Sequence, residues 1–288
     1  MQLDAGWNNT LVPHLPSPFP HPGPPLPGSE PLTLETTDGE RLTAVHVPRP
    51  GAPGGKTGSR DVAIVVAHGF TGAIDRPGLR SVARGLSPYA GLLLFDFRGH
   101  GGSTGVSTLG DREVLDLEAA VAAARGLGYR SVVTCGWSMG SSVVLRHAAL
   151  TGGVDAVIAI SGPSRWHFRD STPMRKLMWL VETKPGRAVA RRAYNLRIGD
   201  AWTADPESPV EVVGRIAPTP LLLVHGRDDH YFGVDHAQAL YAAAGQPSEL
   251  WLVEGFGHAE AGASAELLDR IGSHVEVMLG QCEAATGT

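Results

Sequence analysis

The chain has only two cysteines, Cys135 and Cys282. Two are too few and too far apart for a disulfide framework, and no zinc or iron–sulfur spacing accompanies them. Cys135 lies in an apolar run, where a buried free thiol is the plain reading. Positive charge is in short supply as well: the formal net charge is −5, which leaves no basic domain for nucleic acid to meet. No apolar run approaches the roughly 20 residues that span a bilayer. The first residues lack a positive segment followed by an apolar one, so no secretory signal is expected. Asn8-Asn9-Thr10 matches a glycosylation sequon, but without export that match carries nothing. By absence of signals the chain is read as cytoplasmic, with no membrane span and no nucleic-acid partner.

What is present is ordinary for a soluble globular protein: 42% apolar and 18% charged residues over 288 positions. That length accommodates one large domain with a full core, or two small ones. Proline is crowded into one place, from Pro13 through Pro31. Such a stretch builds neither helix nor ladder and is expected to be extended or disordered. Residues 1–31 are therefore set apart as a proline-rich arm. It is strapped over the body, or else serves as a recognition arm or a homo-oligomer contact.

From residue 32 the pattern changes. Short alternating runs at 32–37 and 41–47 flank Asp38-Gly39, a hairpin signal. Continuous apolar runs follow at 62–67, 92–95, 131–135, 154–160, 221–224 and 248–253. Stretches of helical periodicity lie between most of them, at 76–86, 112–126, 139–150, 234–244 and 263–279. Buried strands alternating with helices imply a mainly parallel sheet covered on both faces. The alternation breaks once, at 163–205, a segment rich in Arg, Trp and Met that reads as an inserted helical cap. Ser208-Pro209-Val210-Glu211 then restarts a helix with a capping box. The core is thus expected in two parts, 32–162 and 206–280, followed by a tail at 281–288.

The most informative segment is Val132-Val133-Thr134-Cys135-Gly136-Trp137-Ser138-Met139-Gly140. A strand runs straight into Gly-x-Ser-x-Gly and a helix follows. That context lifts a serine hydroxyl clear of the sheet edge on a tight turn, with the helix N-terminus behind it. Ser138 is the expected nucleophile. An oxyanion hole needs two amides: Met139 supplies one, and Phe70, in the His68-Gly69-Phe70 loop after a buried strand, the other, with Thr71 as alternative. His68 itself is expected to be a structural hydrogen-bonder. A serine also needs a base. Of twelve histidines, His258 lies in a Gly-rich loop just after the last strand, where open α/β folds place their sites. His225, His230 and His236 are the alternatives. The orienting acid follows another buried strand, at Asp228 or Asp229. Residue chemistry does not separate the two.

These motifs resemble the α/β-hydrolase superfamily, in the branch of serine aminopeptidase-like hydrolases, monoacylglycerol lipases and lysophospholipases. The resemblance spans about residues 32–280. It is carried by His68-Gly69-Phe70, Asp96-Phe97-Arg98-Gly99-His100-Gly101-Gly102-Ser103, Gly136-Trp137-Ser138-Met139-Gly140, His225-Gly226-Arg227-Asp228-Asp229 and Gly257-His258. It implies an α/β-hydrolase fold, with an eight-stranded, mainly parallel sheet, helices on both faces and a small helical cap. Its His-Gly-x-x-Asp spacing selects Asp229. It assigns Asp96, Arg98 and His100 to stability. The chain departs from the family after the acid, where His230-Tyr231-Phe232 replaces a small apolar run and proline. Serine at the nucleophile position disfavours dehalogenase and epoxide hydrolase chemistry.

The implied activity is hydrolysis of a carboxylic ester or thioester of a small-molecule acyl substrate, without metal or organic cofactor. Amide hydrolysis and acyl transfer on the same triad are the alternatives, as is a catalytically silent receptor or scaffold. Trp137, Trp166, Phe168, Met178 and Tyr231 are the expected substrate contacts. The cap's many arginines are either a solvated face or a cationic rim that steers an anionic substrate.

Overall fold

The computed structural model describes residues 26–50 and 61–286. The expectations for the first 25 residues, the sequon among them, and for the side chain of Cys282 fall outside these. Eight strands form one sheet: β1 (Glu30–Glu35), β2 (Arg41–Val47), β3 (Val62–Ala67), β4 (Gly91–Phe95), β5 (Ser131–Trp137), β6 (Ala156–Ile160), β7 (Leu221–Gly226) and β8 (Ser248–Val253). Their order is β1-β2-β4-β3-β5-β6-β7-β8. The β1–β2 hairpin and the β2–β4 pair are antiparallel, and every other pairing is parallel.

Period-two alternation explains why the central strands are apolar throughout. On β3, Ala63, Val65 and Ala67 enter one core while Ile64 and Val66 enter the other. The first core lies under α2 (Glu113–Gly126), α3 (Met139–Leu150), the 3-10 turn Val213–Ile216 and α7 (Val234–Ala243). The second lies under α1 (Pro77–Leu86) and α9 (Ala265–Thr286). A sheet buried on both faces has no polar side to alternate with.

The inserted segment carries two helices, α4 (Thr172–Glu182) and α5 (Lys184–Tyr194). Each begins at a hydroxyl cap followed by proline. Ser171 Oγ accepts from the Met174 amide at 3.3 Å, and Thr183 Oγ1 from the Gly186 amide at 3.0 Å. Asn195 ends α5 in the left-handed conformation at φ 52°. The chain returns through α6 (Pro209–Val212), where Glu211 Oε2 accepts from the Ser208 amide at 2.6 Å. A four-residue helix, α8 (Ala259–Gly262), precedes α9.

Some boundaries differ from expectation. Strand β1 starts at Glu30, so Pro31 sits inside a strand and pairs with Val45. An edge strand tolerates this, since one side needs no donor. Strand β6 begins two residues late, at Ala156, after the Gly152-Gly153 turn. Helix α9 continues to Thr286, so the expected tail is largely helical.

The hairpin is tied to the core by charge. Arg98 Nη1 and Nη2 donate to the two carboxylate oxygens of Asp38, in the β1–β2 turn, at 2.8 and 3.0 Å. The Arg98 Nε and amide reach buried Asp116, each at 2.8 Å. The Arg98 guanidinium beside it lowers the Asp38 pKa to about 2, against 3.8 ordinarily. Because the folded value lies below the unfolded one, the stabilisation is complete above pH 3.8 and is lost as pH falls towards 2. In chemical denaturation, Asp38→Asn is therefore expected to lose stability relative to wild type at pH 6, and the gap to close between pH 4 and 2. A gap independent of pH would contradict this.

Candidate active site

Three loops at the carboxyl edge of the parallel strands bring the sequence-chosen residues together. Ser138, between β5 and α3, has φ 51° and ψ −113°, a conformation held only where surrounding structure enforces it. Its amide donates to the Ile160 carbonyl on β6 at 2.9 Å. Its hydroxyl lies 3.0 Å from His258 Nε2, and His258 Nδ1 lies 2.8 Å from Asp229 Oδ2. The Asp229 carboxylate is fully enclosed. Its Oδ1 accepts the amides of Tyr231 at 2.8 Å and Phe232 at 3.1 Å. Asp228 is exposed, and its amide donates to Phe256. The His258 loop is itself pinned, because the Ala259 amide donates to Ser161 Oγ at 3.2 Å.

None of the alternative histidines is hydrogen-bonded to Ser138, although His225 Nε2 lies 3.8 Å from Asp229 Oδ2. His225 Nε2 donates to the Phe232 carbonyl at 3.0 Å, His236 Nδ1 accepts from the Ser164 amide at 3.0 Å, and His230 is exposed.

On the opposite side of Ser138, the loop after β3 passes close by. A Cβ placed on Gly69 would stand 3.3 Å from Ser138 Cβ. Buried His68 has its pKa lowered by desolvation and stays neutral. Its Nε2 accepts from the Phe97 amide at 3.1 Å, which leaves the proton on Nδ1, and Nδ1–H donates to the Gly69 carbonyl at 2.7 Å. The Gly72 amide reaches the same carbonyl at 2.9 Å. In a trans peptide the carbonyl and the next N–H point opposite ways, so holding Gly69 C=O aims Phe70 N–H. Among the described residues, the amides of Phe70 and Met139 have no protein acceptor. His68 thus has the hydrogen-bonding character expected of it. Asp96 accepts the Ile74 and Gly102 amides at 2.7 and 3.0 Å, and burial raises its pKa to about 6.

A cavity of about 320 Å³ opens beside Ser138 beneath the cap. Trp166, Phe168, Met174 and Met178 line it, together with Trp202 and Phe232. Two expected contacts need correction. Trp137 is fully buried in the core under α1 and α9. Strand alternation sends Val133, Cys135 and Trp137 to that face, away from the cavity. Tyr231 is not in the cavity wall. It stacks on the His258 ring, with centroids 4.3 Å apart. The turn that presents two amides to Asp229 puts Phe232, which the sequence reading did not single out, into the wall instead. Also missed were Trp202, the 107–109 loop and Glu260. Among the described residues no group of three or more His, Cys, Asp or Glu could hold a metal ion, and no helix is long and apolar enough to cross a membrane.

Fold and site together describe an α/β protein with a Ser-His-Asp chain at the carboxyl edge of its sheet. The sequence profile of the Alpha/beta hydrolase family matches residues 64–270, well over half of the chain, and the protein belongs to that family. The fold matches the esterase Pf2001 of Pyrococcus furiosus with a TM-score of 0.67 at 21% identity, covering 86% of this chain and 90% of that one. It matches the esterase domain of a Rhodothermus marinus protein with a TM-score of 0.58 at 22% identity, covering 86% and 96%. For the hypothetical protein PA2218 from Pseudomonas aeruginosa the values are 0.63, 21%, 96% and 99%. At such identities the likeness is one of fold. Comparison with curated proteins found no match.

Proposed function

We propose that the protein hydrolyses a carboxylic ester or thioester of a neutral, apolar acyl substrate through an acyl-enzyme on Ser138. The observation that carries this reading is the unbroken chain from Asp229 through His258 to a serine hydroxyl beside an apolar cavity. Asp229 holds the imidazole with its proton on Nδ1, so that Nε2 accepts the Ser138 proton as Oγ attacks the carbonyl carbon. The carbonyl oxygen, now negative, meets the Phe70 and Met139 amides, and each such donor contributes on the order of 3 kcal/mol to the transition state. The tetrahedral adduct collapses, and His258 returns the proton to the departing alcohol or thiol. Water then enters, gives a proton to His258, attacks the acyl carbon and releases the acid and the free serine.

The cavity argues for an uncharged group. Its wall is mainly aromatic and thioether in character, and most of its charged members are paired, Arg165 lying instead over the Phe168 ring at 5.6 Å. Arg187 faces Asp200 at 3.6 Å, His167 faces Asp205 at 2.8 Å, and Glu182 faces Arg169. Of the cap's cations, Arg169 and Arg187 face acids, Arg175 and Arg197 donate to backbone carbonyls, and Arg165 lies over an aromatic ring. The esterases of similar fold fit the same reading.

The test is covalent. Wild-type protein is expected to react with a fluorophosphonate probe and to turn over p-nitrophenyl esters. Ser138→Ala should fold, fail to label, and lose turnover by about 10⁶-fold. A labelled Ser138→Ala protein would overturn the reading. A wild type that neither labels nor turns over would favour a silent scaffold.

A further inference from the structure

We propose that Glu260 is a positioning residue that clamps the oxyanion loop to the loop carrying the base. The inference rests on the reading of Ser138 as nucleophile and Phe70 as a hole donor. Glu260 lies two residues after His258, in α8. Its Oε1 accepts the Gly69 amide at 2.6 Å, across 191 positions of sequence. Oε2 lies 3.3 Å from the point a Gly69 Cβ would occupy, and Ser138 Cβ stands 3.3 Å from that same point. Carboxylate and nucleophile therefore sit beside one glycine.

That glycine is a soft joint in the loop, since glycine has the widest choice of φ and ψ. Its two peptide planes are held separately. The Gly69–Phe70 plane is fixed through its carbonyl by His68 and Gly72. The His68–Gly69 plane is fixed through its N–H by Glu260 alone among the described residues. A charge-assisted bond of this length is the stronger kind. Hole donors accelerate a reaction because they need no reorganisation when charge develops. With the clamp in place, Phe70 N–H and the His258 ring keep one fixed separation. Without it, the two loops drift independently, and Phe70 N–H, still oriented through the Gly69 carbonyl, shifts relative to the His258 ring. The carboxylate's negative charge near the hole is not what the site needs. What the site needs is an acceptor, and an amide oxygen can serve as one.

A purely structural role is the rival account, because Glu260 also packs α8 against α1. A Cβ on Gly78 would stand 3.2 Å from Glu260 Cβ. The two accounts separate in kinetics. Wild type, Glu260→Ala, Glu260→Gln and Ser138→Ala are compared for rate of fluorophosphonate labelling, kcat and KM on a p-nitrophenyl ester, and Tm. Glu260→Ala is expected to slow labelling and kcat about tenfold or more, with KM changed less than about twofold. Glu260→Gln should return to within about threefold of wild type. Should the alanine variant fail to fold, Glu260→Asp withdraws the acceptor by one methylene and carries the same expectation. A folded Glu260→Ala (or, in its place, Glu260→Asp) protein that labels at the wild-type rate overturns the proposal, as does an equal loss in Glu260→Ala and Glu260→Gln. If wild type itself never labels, it is the reading of Ser138 that fails.

Discussion

Asp229→Asn is expected to lower kcat by about 10⁴-fold with the fold intact. The size of the effect follows from which atoms face the carboxylate. Oδ1 accepts two backbone amides and Oδ2 accepts His258 Nδ1–H. Asparagine at this position keeps one oxygen and gains one NH₂ group. The two amides, being donors, hold the oxygen on their side, so the NH₂ must face His258. A donor facing Nδ1 drives the imidazole to the other tautomer, with its proton on Nε2. That proton then points at the Ser138 hydroxyl, and the base is gone although each heavy atom keeps its place. Circular dichroism and Tm should therefore change little while ester turnover collapses. Asp228→Asn, on the exposed neighbour, is the control and should retain near-wild-type turnover. A fall of less than tenfold for Asp229→Asn, or a large fall for Asp228→Asn, would mean that the wrong carboxylate has been placed behind the base.

The parts of this site that were legible beforehand are those whose chemistry is local in sequence. Gly-x-Ser-x-Gly, His-Gly-Phe and the loop after the last strand each carry their own context of strand, turn and helix. So do the strands: runs such as 62–67 declare burial on both faces without reference to anything distant. The same local rule, applied one step further, would have removed Trp137 from the substrate wall, because Val133, Cys135 and Trp137 share one face at period two. The two cap helices were also within reach, since Ser171-Thr172-Pro173 and Thr183-Lys184-Pro185 each place a hydroxyl cap just before a proline in the first turn. What escaped depended on distant partners. Nothing around Glu260 announces that it meets Gly69. The choice of Phe232 over Tyr231 as wall residue follows from how two amides wrap around Asp229. The pairing of Arg187 with Asp200 turns on the path of the chain after α5. Contacts of that kind are decided by packing, and composition does not encode them.

Gly140→Ala is expected to damage catalysis more than stability. A Cβ at Gly140 would collide with the Ala67 carbonyl and approach the His68 carbonyl oxygen to 2.7 Å. These are backbone atoms at the end of β3, which cannot swing aside as a side chain would. Relief has to come from separating the start of α3 from β3. Overpacking of this kind costs about 1–3 kcal/mol, a fall in Tm of several degrees in a domain of this size. The catalytic cost is larger because of what rides on the two elements. Met139 N–H is carried by α3, and Phe70 N–H by the loop that continues from Ala67. Moving one away from the other would open the proposed oxyanion hole, and a displacement of about 1 Å can cost 10²-fold in rate. Gly126→Ala, near the end of α2, is the matched control. Nothing lies within 4 Å of its would-be Cβ, and alanine in a helix should be neutral or slightly stabilising. Fluorophosphonate labelling rates and thermal melts of the two variants measure both effects. Labelling of Gly140→Ala at the wild-type rate would mean that the hole does not depend on the tight approach of α3 to β3. The assignment of the two donors would then have to be revised, with Thr71, the alternative to Phe70, the next to be tested.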